Sequence, residues 1–202
     1  MTMEKAWNDW NRAHDASKIN PLFKREFQKI ILQLGLPEKA KVLELGCGNG
    51  INRELFGEGC KLWGTDLDDF SLRQAEKRGY ITSKQDAKEF YIGNKFDLIF
   101  SIGLLEHFAG LEIFEIAVRS ALCSDKIIAV IPNAGGLRRF IRSLPPFRTP
   151  LWSDITPEQV SLAFTKAGYS CKTIPINMIP HIPFPMPFVW WWIIIGEKKE
   201  VK

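Results

Sequence analysis

Three glycines within five residues follow a run of apolar residues in the segment VLELGCGNG, residues 42–50. Glycine lets the backbone bend sharply and lets a ligand approach the main chain closely, so Gly46, Gly48 and Gly50 could form a turn that holds a nucleotide. The loop alone leaves three interpretations open. It could bind NAD, bind another nucleotide-like cofactor, or be a tight turn without a ligand.

The residues around the loop favour a cationic ligand. The NAD fingerprint is GxGxxG, whereas this loop reads GxGxG and follows an acid, Glu44, in the preceding strand. That carboxylate would repel a pyrophosphate and attract a cation. Asp66 ends the second predicted strand, where it could accept hydrogen bonds from ribose, and Asp86 follows the third, where it could accept one from an exocyclic amine. These features predict a nucleoside with a positively charged tail, as in S-adenosylmethionine, although both aspartates could simply form turns.

The elements expected around these residues alternate between strand and helix. Strands are predicted at KVLELG, KLWGTD, YITSKQD, FDLIFSIGLL, DKIIAVIPN, YSCKTIPI and FVWWWIIIGE. Helices are predicted over residues 3–34 and at INRELFGEG, SLRQAEKRG, HFAGLEIFEIAVRSAL and TPEQVSLAFTKAG. Ser71 is an expected N-cap of the third of these helices, and Asp68 and Asp69 are also interpreted as its capping residues. Thr156 with Gln159 predicts a capping box for the last helix. The alternation indicates a doubly wound α/β sheet, whose ligands bind at the carboxyl ends of the strands.

Size and composition narrow the class of protein. A chain of 202 residues fits one domain, and a net charge of +4 is too small to indicate nucleic-acid binding by itself. The four cysteines show no CxxC spacing, so we expect no metal site, no disulfide framework and a cytoplasmic location. The longest apolar stretch, residues 182–195, is interrupted by prolines and is shorter than the roughly 20 residues of a membrane span, so no transmembrane segment is predicted.

Taken together, VLELGCGNG, Asp66, QDA around Asp86 and FDLIFSIGLLEHF resemble the class I S-adenosylmethionine-dependent methyltransferases. Among these, the chain is similar to the small single-domain type 11 group. The resemblance covers roughly residues 40–133 by motif and the C-terminal strand pair by layout. It implies a Rossmann-like seven-stranded sheet of order 3-2-1-4-5-7-6 with strand 7 antiparallel. It also implies S-adenosylmethionine as the cofactor and S-adenosylhomocysteine as the product.

The resemblance also implies roles for matching positions. The implied cofactor-binding residues are Glu44, Gly46, Cys47, Gly48, Asn49, Gly50, Asp66, Leu67, Asp86, Ala87, Ser101 and Ile102. The glycine loop would pack against the methionine part, with Glu44 near its ammonium group, while Asp66 would hold the ribose. Asp86 and the Ala87 amide would bind the adenine, and Ser101 and Ile102 would line the methionyl side. Cys47 is interpreted as a small apolar filler and not as a nucleophile.

Methyl transfer requires that the acceptor is aligned with the methyl group and that water is excluded. A base is needed only when the acceptor must lose a proton. His107, which follows the fourth strand, could be that base, could orient the substrate, or could simply open the next helix, and Glu106 is equally ambiguous. The tetrad SIGL stands where family members that methylate amino groups of nucleobases or glutamine have an NPPY-like sequence, which argues against that class.

Two segments could determine the acceptor. In an N-terminal helical lid, residues 1–37, the side chains of Trp7, Trp10 and His14 could face the substrate, although the tryptophans could instead pack on the core. A substrate-side loop, residues 134–155, carries Arg138 and Arg139 and could be a solvated surface, a lid over an anionic substrate, or a contact with RNA or a membrane surface.

Between and after these segments, residues 38–133 would form the cofactor-binding core, and residues 156–202 a C-terminal helix and strand pair of the same single domain. We expect a methyltransferase that acts on a small molecule by in-line displacement. The alternatives are a methyltransferase that acts on RNA, protein or lipid through the segment Arg138–Arg148, and a non-catalytic S-adenosylmethionine-binding module. The oligomeric state stays open.

Overall fold

The computed structural model describes residues 18–90, 93–133, 155–176 and 191–198. Within these ranges, seven strands form one sheet: β1 (Lys41–Leu45), β2 (Lys61–Asp66), β3 (Tyr80–Lys84), β4 (Leu98–Ile102), β5 (Lys126–Pro132), β6 (Tyr169–Ile176) and β7 (Trp191–Lys198). The α-helices in these ranges are α1 (Pro21–Gln33), α2 (Asp69–Lys77), α3 (Gly110–Cys123) and α4 (Pro157–Lys166). Two short 3-10 helices span Ile51–Leu55 and Leu105–His107.

The strand order is β3-β2-β1-β4-β5-β7-β6. The pairs from β3 to β5 are parallel, whereas β7 runs antiparallel to both β5 and β6 and lies between them. This confirms the predicted fold class, strand order and antiparallel last strand. The central strands β1, β4 and β5 are almost continuously apolar because helices cover both faces of the sheet.

Two apolar layers hold the helices on the sheet. On one face, α1, the first 3-10 helix and α2 pack around Phe27, Phe56 and Phe100, whose ring centroids lie between 5.1 and 6.1 Å apart. On the other face, α3 and α4 bury Ile113 and Phe164 against the sheet. Because the helices occupy the faces, the loops that leave the carboxyl ends of the strands gather along one edge.

Helix α1 begins later than the continuous helix predicted over residues 3–34. Residues 18–20 are not helical, and Asn20 caps the helix by accepting hydrogen bonds from the amides of Leu22 and Phe23. Pro21 occupies the first helical position, where its missing N–H is harmless, and it disfavours helical geometry at the residue before it. The dipeptide Asn20–Pro21 marks the start of the helix, whereas the apolar periodicity had predicted a longer one.

Two further helix starts differ from the prediction, while one is confirmed. Of the residues predicted to cap α2, Asp68 and not Ser71 is the N-cap, because its carboxylate accepts the amides of Phe70 and Ser71. Helix α3 begins at Gly110 rather than at His107, with the Glu112 carboxylate accepting the Ala109 amide. The capping box of α4 is present as predicted, and its last turn is followed by glycine at position 168 with φ +100°.

Several expectations concern residues outside the described ranges, namely Trp7, Trp10, His14, Arg138 and Arg139. The division into a lid, a core, a substrate-side loop and a C-terminal part therefore stays a prediction. Among the described helices, none has the length and apolar character that crossing a membrane requires.

Candidate functional site

The glycine loop leaves the carboxyl end of β1 in a conformation that favours glycine at three positions. Gly46, Gly48 and Gly50 have φ values of +68°, +49° and +75°. A Cβ on Gly46 would lie 2.7 Å from Leu104 Cδ1, and one on Gly50 would lie 2.7 Å from the Cα of Ala75. A Cβ on Gly48 would meet nothing within 4 Å. The outer two glycines therefore let the loop pack closely on its own protein, while Gly48 borders open space.

Hydrogen bonds from β2 hold this loop in place. The Cys47 amide donates to the Thr65 carbonyl at 2.9 Å, and the Gly48 amide donates to Asp66 Oδ2 at 2.8 Å. Asp66 Oδ1 accepts the amides of Leu67 and Asp68 at 2.8 and 3.0 Å. Burial raises the pKa of Asp66, although these three backbone donors oppose the shift.

Asp66 thus joins two loops at neighbouring strand ends. A carboxylate oxygen has two lone pairs, and Oδ2 accepts one of these backbone hydrogen bonds, so it retains acceptor capacity beyond the Gly48 amide. Asp66 is predicted to accept hydrogen bonds from a ribose. That role is compatible with this arrangement and stays a prediction. Leu67, beside it, is 40% exposed and offers apolar surface at the same edge.

The loop after β3 joins the same edge. The Gln85 amide donates to the Asp66 carbonyl at 3.2 Å, which brings the ends of β2 and β3 together. Asp86 accepts the Lys88 amide on its side chain at 2.8 Å and the Glu89 amide on its carbonyl at 2.9 Å. These are the contacts of a turn-forming aspartate, one of the two roles considered for Asp86. Its side chain is half-buried and Ala87 is buried, and their contact with an adenine stays a prediction.

Glu44 is completely buried and has two side-chain partners. Its Oε2 accepts the hydroxyl of Tyr80, and its Oε1 accepts the amide nitrogen of Asn52, both at 2.5 Å. Burial raises the pKa of Glu44 to about 8 against the two hydrogen bonds, which lower it. The contact with a ligand ammonium implied by the resemblance stays a prediction, while the described partners are Tyr80 and Asn52. Both residues were missed in the sequence.

Cys47 lies within the loop and is buried. Burial, more than the nearby Glu44 and Asp66 carboxyls, raises the pKa of its thiol. A buried thiol with a raised pKa is a poor nucleophile, which fits its interpretation as a filler. Asn49 accepts the Ile51 amide at 3.1 Å and so helps the loop enter the first 3-10 helix.

The end of β4 lies beside the glycine loop. Ser101 is buried, Ile102 is half-buried, and Gly103 turns the chain with φ +69°. Leu104 then contacts Gly46, as its close approach shows. The residues predicted to line the methionyl side therefore belong to a strand end that touches the loop.

The second 3-10 helix carries the two ambiguous residues. His107 is half-buried, and Glu106 is only 1% exposed. His107 does not open α3, because Phe108 and Ala109 separate it from that helix. In the described part of the chain, no three His, Cys, Asp or Glu residues group closely enough to hold a metal ion.

Comparisons with known proteins identify a domain family and similar folds. A family model described as a methyltransferase domain matches residues 16–122. No curated protein matches the chain. Solved structures similar to it include magnesium protoporphyrin IX methyltransferase from Synechocystis with bound S-adenosylhomocysteine, at 15% identity and a TM-score of 0.68, covering 96% of this chain and 95% of that one.

Two further structures have similar folds. One is a TehB-like S-adenosylmethionine-dependent methyltransferase from Corynebacterium glutamicum, with 16% identity, a TM-score of 0.65, and coverage of 97% of this chain and 98% of that one. The other is an S-adenosylmethionine-dependent methyltransferase from Clostridium acetobutylicum, with 12% identity, a TM-score of 0.68, and coverage of 95% and 98%. At such low identity, these structures establish the likeness of the fold, while the family match covers more than half of the chain.

Proposed function

Because this chain belongs to the class I S-adenosylmethionine-dependent methyltransferases, we propose that it transfers a methyl group from S-adenosylmethionine to a small-molecule acceptor. The observation that carries the proposal is the loop Gly46–Gly50. It lies at the carboxyl edge of the sheet, is anchored by Asp66, and presents Gly48 to open space. A side chain at Gly48 would occupy the position from which a ligand could approach the backbone.

The residues around the loop suit the three parts of this cofactor. Asp66 offers acceptor capacity for ribose hydroxyls, and Leu67 offers apolar surface for the adenine. Asp86 and Ala87, in the loop joined to Asp66, would contact the adenine edge. Ser101 and Ile102 would line the side on which the methionine part binds. Product S-adenosylhomocysteine would occupy the same contacts.

Bound S-adenosylmethionine supplies an electrophilic methyl group on a sulfonium that leaves as a neutral thioether. The chain's own residues then have to position the acceptor and, where it carries a proton, accept that proton. His107 is our proposed base because it is half-buried in the short helix that follows β4. Its imidazole would receive the proton as the acceptor atom bonds to the methyl carbon.

A small-molecule acceptor is supported by the likeness to the Synechocystis enzyme. That protein is named as a methyltransferase for magnesium protoporphyrin IX, and the two chains match over nearly their whole lengths. We therefore extend a small-molecule acceptor, without its identity, to this chain. The four cysteines are all free thiols, which supports the cytoplasm as the proposed compartment.

The proposal is tested in two steps. Titration calorimetry should detect binding of S-adenosylmethionine, and Asp66→Ala should weaken that binding by roughly 30-fold, because it removes charge-assisted hydrogen bonds and the loop anchor. Asp125→Ala is the matched control, since its side chain is 81% exposed and pairs with Lys198 away from the loop. If the unmodified protein binds no S-adenosylmethionine, the proposed function is wrong.

The second step concerns transfer. The protein should move a labelled methyl group from S-adenosylmethionine into a component of a metabolite extract, and His107→Ala should slow that transfer. Binding without transfer to metabolites, RNA or protein would identify a binding module instead of an enzyme. Label found only in RNA or protein would replace the small-molecule acceptor with a macromolecule.

A further inference from the structure

Glu44, Tyr80 and Asn52 bring together three elements beneath the glycine loop. Glu44 is on β1, two residues before Gly46, and Asn52 is in the first 3-10 helix, two residues after Gly50. The Glu44–Asn52 hydrogen bond therefore closes a ring across the whole loop. Tyr80, at the start of β3, holds the other carboxyl oxygen from 36 residues away in sequence.

The contact between Tyr80 and Glu44 has to cross a strand. The order β3-β2-β1 places β2 between them, with Gly64 as the register partner of Glu44. A Cβ at Gly64 would lie 3.0 Å from Tyr80 Cδ1 and 2.6 Å from Cys47 Sγ. The absence of a side chain at Gly64 thus opens the passage through which the tyrosine reaches Glu44.

The tyrosine ring also supports the loop by contact. A Cβ on Gly50 would lie 3.1 Å from Tyr80 Cδ2, so the last glycine of the loop packs directly over the ring. The ring of Tyr80 therefore contacts the loop, and its hydroxyl donates to Glu44 on the strand before the loop. From these contacts we propose that Glu44, Tyr80 and Asn52 form a positioning network that holds the loop Gly46–Gly50 in its binding conformation before the cofactor arrives.

In this network Glu44 acts through the loop and does not serve as the counter-ion of the cofactor's ammonium group. Both of its carboxyl oxygens are engaged by protein donors, and the side chain is fully buried. Burial raises the pKa of Glu44 to about 8, which disfavours a negative charge on this side chain in the site. The inference rests on the proposed function for its ligand, but the loop's rigidity can be measured without one.

The first measurement is amide hydrogen exchange in the ligand-free protein. Tyr80→Phe should speed exchange at the Gly48 and Gly50 amides by about tenfold or more, since these report local opening of the loop. Tyr169→Phe is the matched control, because Tyr169 is also buried and donates to the Ser124 carbonyl at 3.0 Å. It should leave loop exchange unchanged. Equal loop exchange in the original protein and Tyr80→Phe would overturn the proposal.

The second measurement is affinity for two ligands that differ in charge. One is S-adenosylhomocysteine, which has the ammonium group, and the other is its deamino analogue, which keeps the carboxylate and the rest of the methionine part but lacks the ammonium. If Tyr80→Phe reduces the fraction of loops in the binding conformation, affinity for both should fall by the same factor, roughly three- to tenfold. Glu44→Gln should likewise affect both ligands equally.

A loss confined to S-adenosylhomocysteine in Glu44→Gln would show that Glu44 pairs with the ammonium, and the positioning role would be wrong. If the unmodified protein binds neither ligand, the proposed cofactor function fails instead. Exchange at the loop amides still decides whether the network holds the loop. Urea unfolding of each variant establishes that all of them are folded under the conditions of measurement.

Discussion

The segments that follow β1 and β4 are built alike, but one exposes glycine backbone and the other carries side chains. Each strand is followed by a left-handed glycine, Gly46 or Gly103, and then by a short 3-10 helix. Each also has a buried glutamate nearby, Glu44 or Glu106. After β1, however, two more left-handed glycines follow, whereas after β4 the chain continues with the bulky side chain of Leu104.

Under the proposed function, this difference would serve two kinds of recognition. The backbone at the β1 end, which is hydrogen-bonded to Asp66 and packed over Tyr80, would contact the cofactor. At the β4 end, the half-buried side chain of His107 would face the acceptor. The contact of Leu104 with Gly46 joins the two ends.

The strongest test of this contrast replaces one glycine at each end. In Gly50→Ala, the new Cβ would lie 2.7 Å from the Ala75 backbone at φ +75°, so strain and overpacking should lower the free energy of unfolding by about 4 kcal/mol. In Gly103→Ala, the nearest atom is 3.6 Å away, and the left-handed φ alone should cost about 1 kcal/mol. Urea denaturation measures both, and similar losses would remove the contrast.

An effect of comparable size should be a pH dependence that originates at Glu44. The folded protein keeps the Glu44 proton up to a pKa of about 8, whereas the unfolded chain releases it above its ordinary 4.5. The contribution of this proton to stability is therefore complete below that ordinary value and is lost as the pH rises toward the folded pKa. We expect the free energy of unfolding to fall by up to about 5 kcal/mol across this range, relative to Glu44→Gln.

Urea denaturation at a series of pH values measures this difference. Asp66 and Cys47 also face Glu44, and they are common to both proteins, so the comparison with Glu44→Gln isolates the one carboxyl. Parallel pH profiles for the two proteins would contradict the protonated state of the buried glutamate.

At the β4 end, His107→Ala should reduce kcat for a proton-bearing acceptor by about 100-fold, the range of a general base. Affinity for S-adenosylhomocysteine should stay within about twofold, because the proposed cofactor contacts do not include His107. Calorimetry and steady-state kinetics separate the two quantities. A matching loss of cofactor affinity would place His107 on the cofactor side of the site.

The expected change in stability at Gly48 is as small as that at Gly103. Its Cβ position is open, so Gly48→Ala should cost only about 1 kcal/mol for the left-handed φ of +49°. The added methyl group would nevertheless face the proposed ligand, and affinity for S-adenosylhomocysteine should drop by roughly tenfold. A variant that binds as tightly as the unmodified protein would show that the ligand does not approach this glycine.

The sequence predicted the fold well because its signals are local or repeated. The alternation of strands and helices gave the sheet, and the resemblance supplied its order, which the structure confirms. The sequence also predicted that the loop glycines and Asp66 lie at the ends of strands, as the structure shows, while their contacts with a cofactor stay predictions. Both Ser71 and Asp68 were predicted as caps of α2, because both are good capping residues, and only the backbone hydrogen bonds distinguish them.

The partners of Glu44 were missed for a different reason. Because Glu44 lies next to the glycine loop, we assigned its carboxylate to the ligand. One of its hydrogen bonds instead comes from Tyr80, on another strand. Gly64 was the available signal, because a glycine inside a buried strand marks a close approach of some other group. Identifying that group as Tyr80 needs the strand order and the register together.

The position of β7 has a consequence for the growing chain. Because β7 lies between β5 and β6, the last of the described strands to be synthesised fills an interior place in the sheet. Until residues 191–198 have been made, β5 and β6 both lack the strand that pairs with each of them. Chains that end before this strand would carry two exposed edges, which are templates for aggregation. Synthesis of β7 therefore protects the edges of both strands at once.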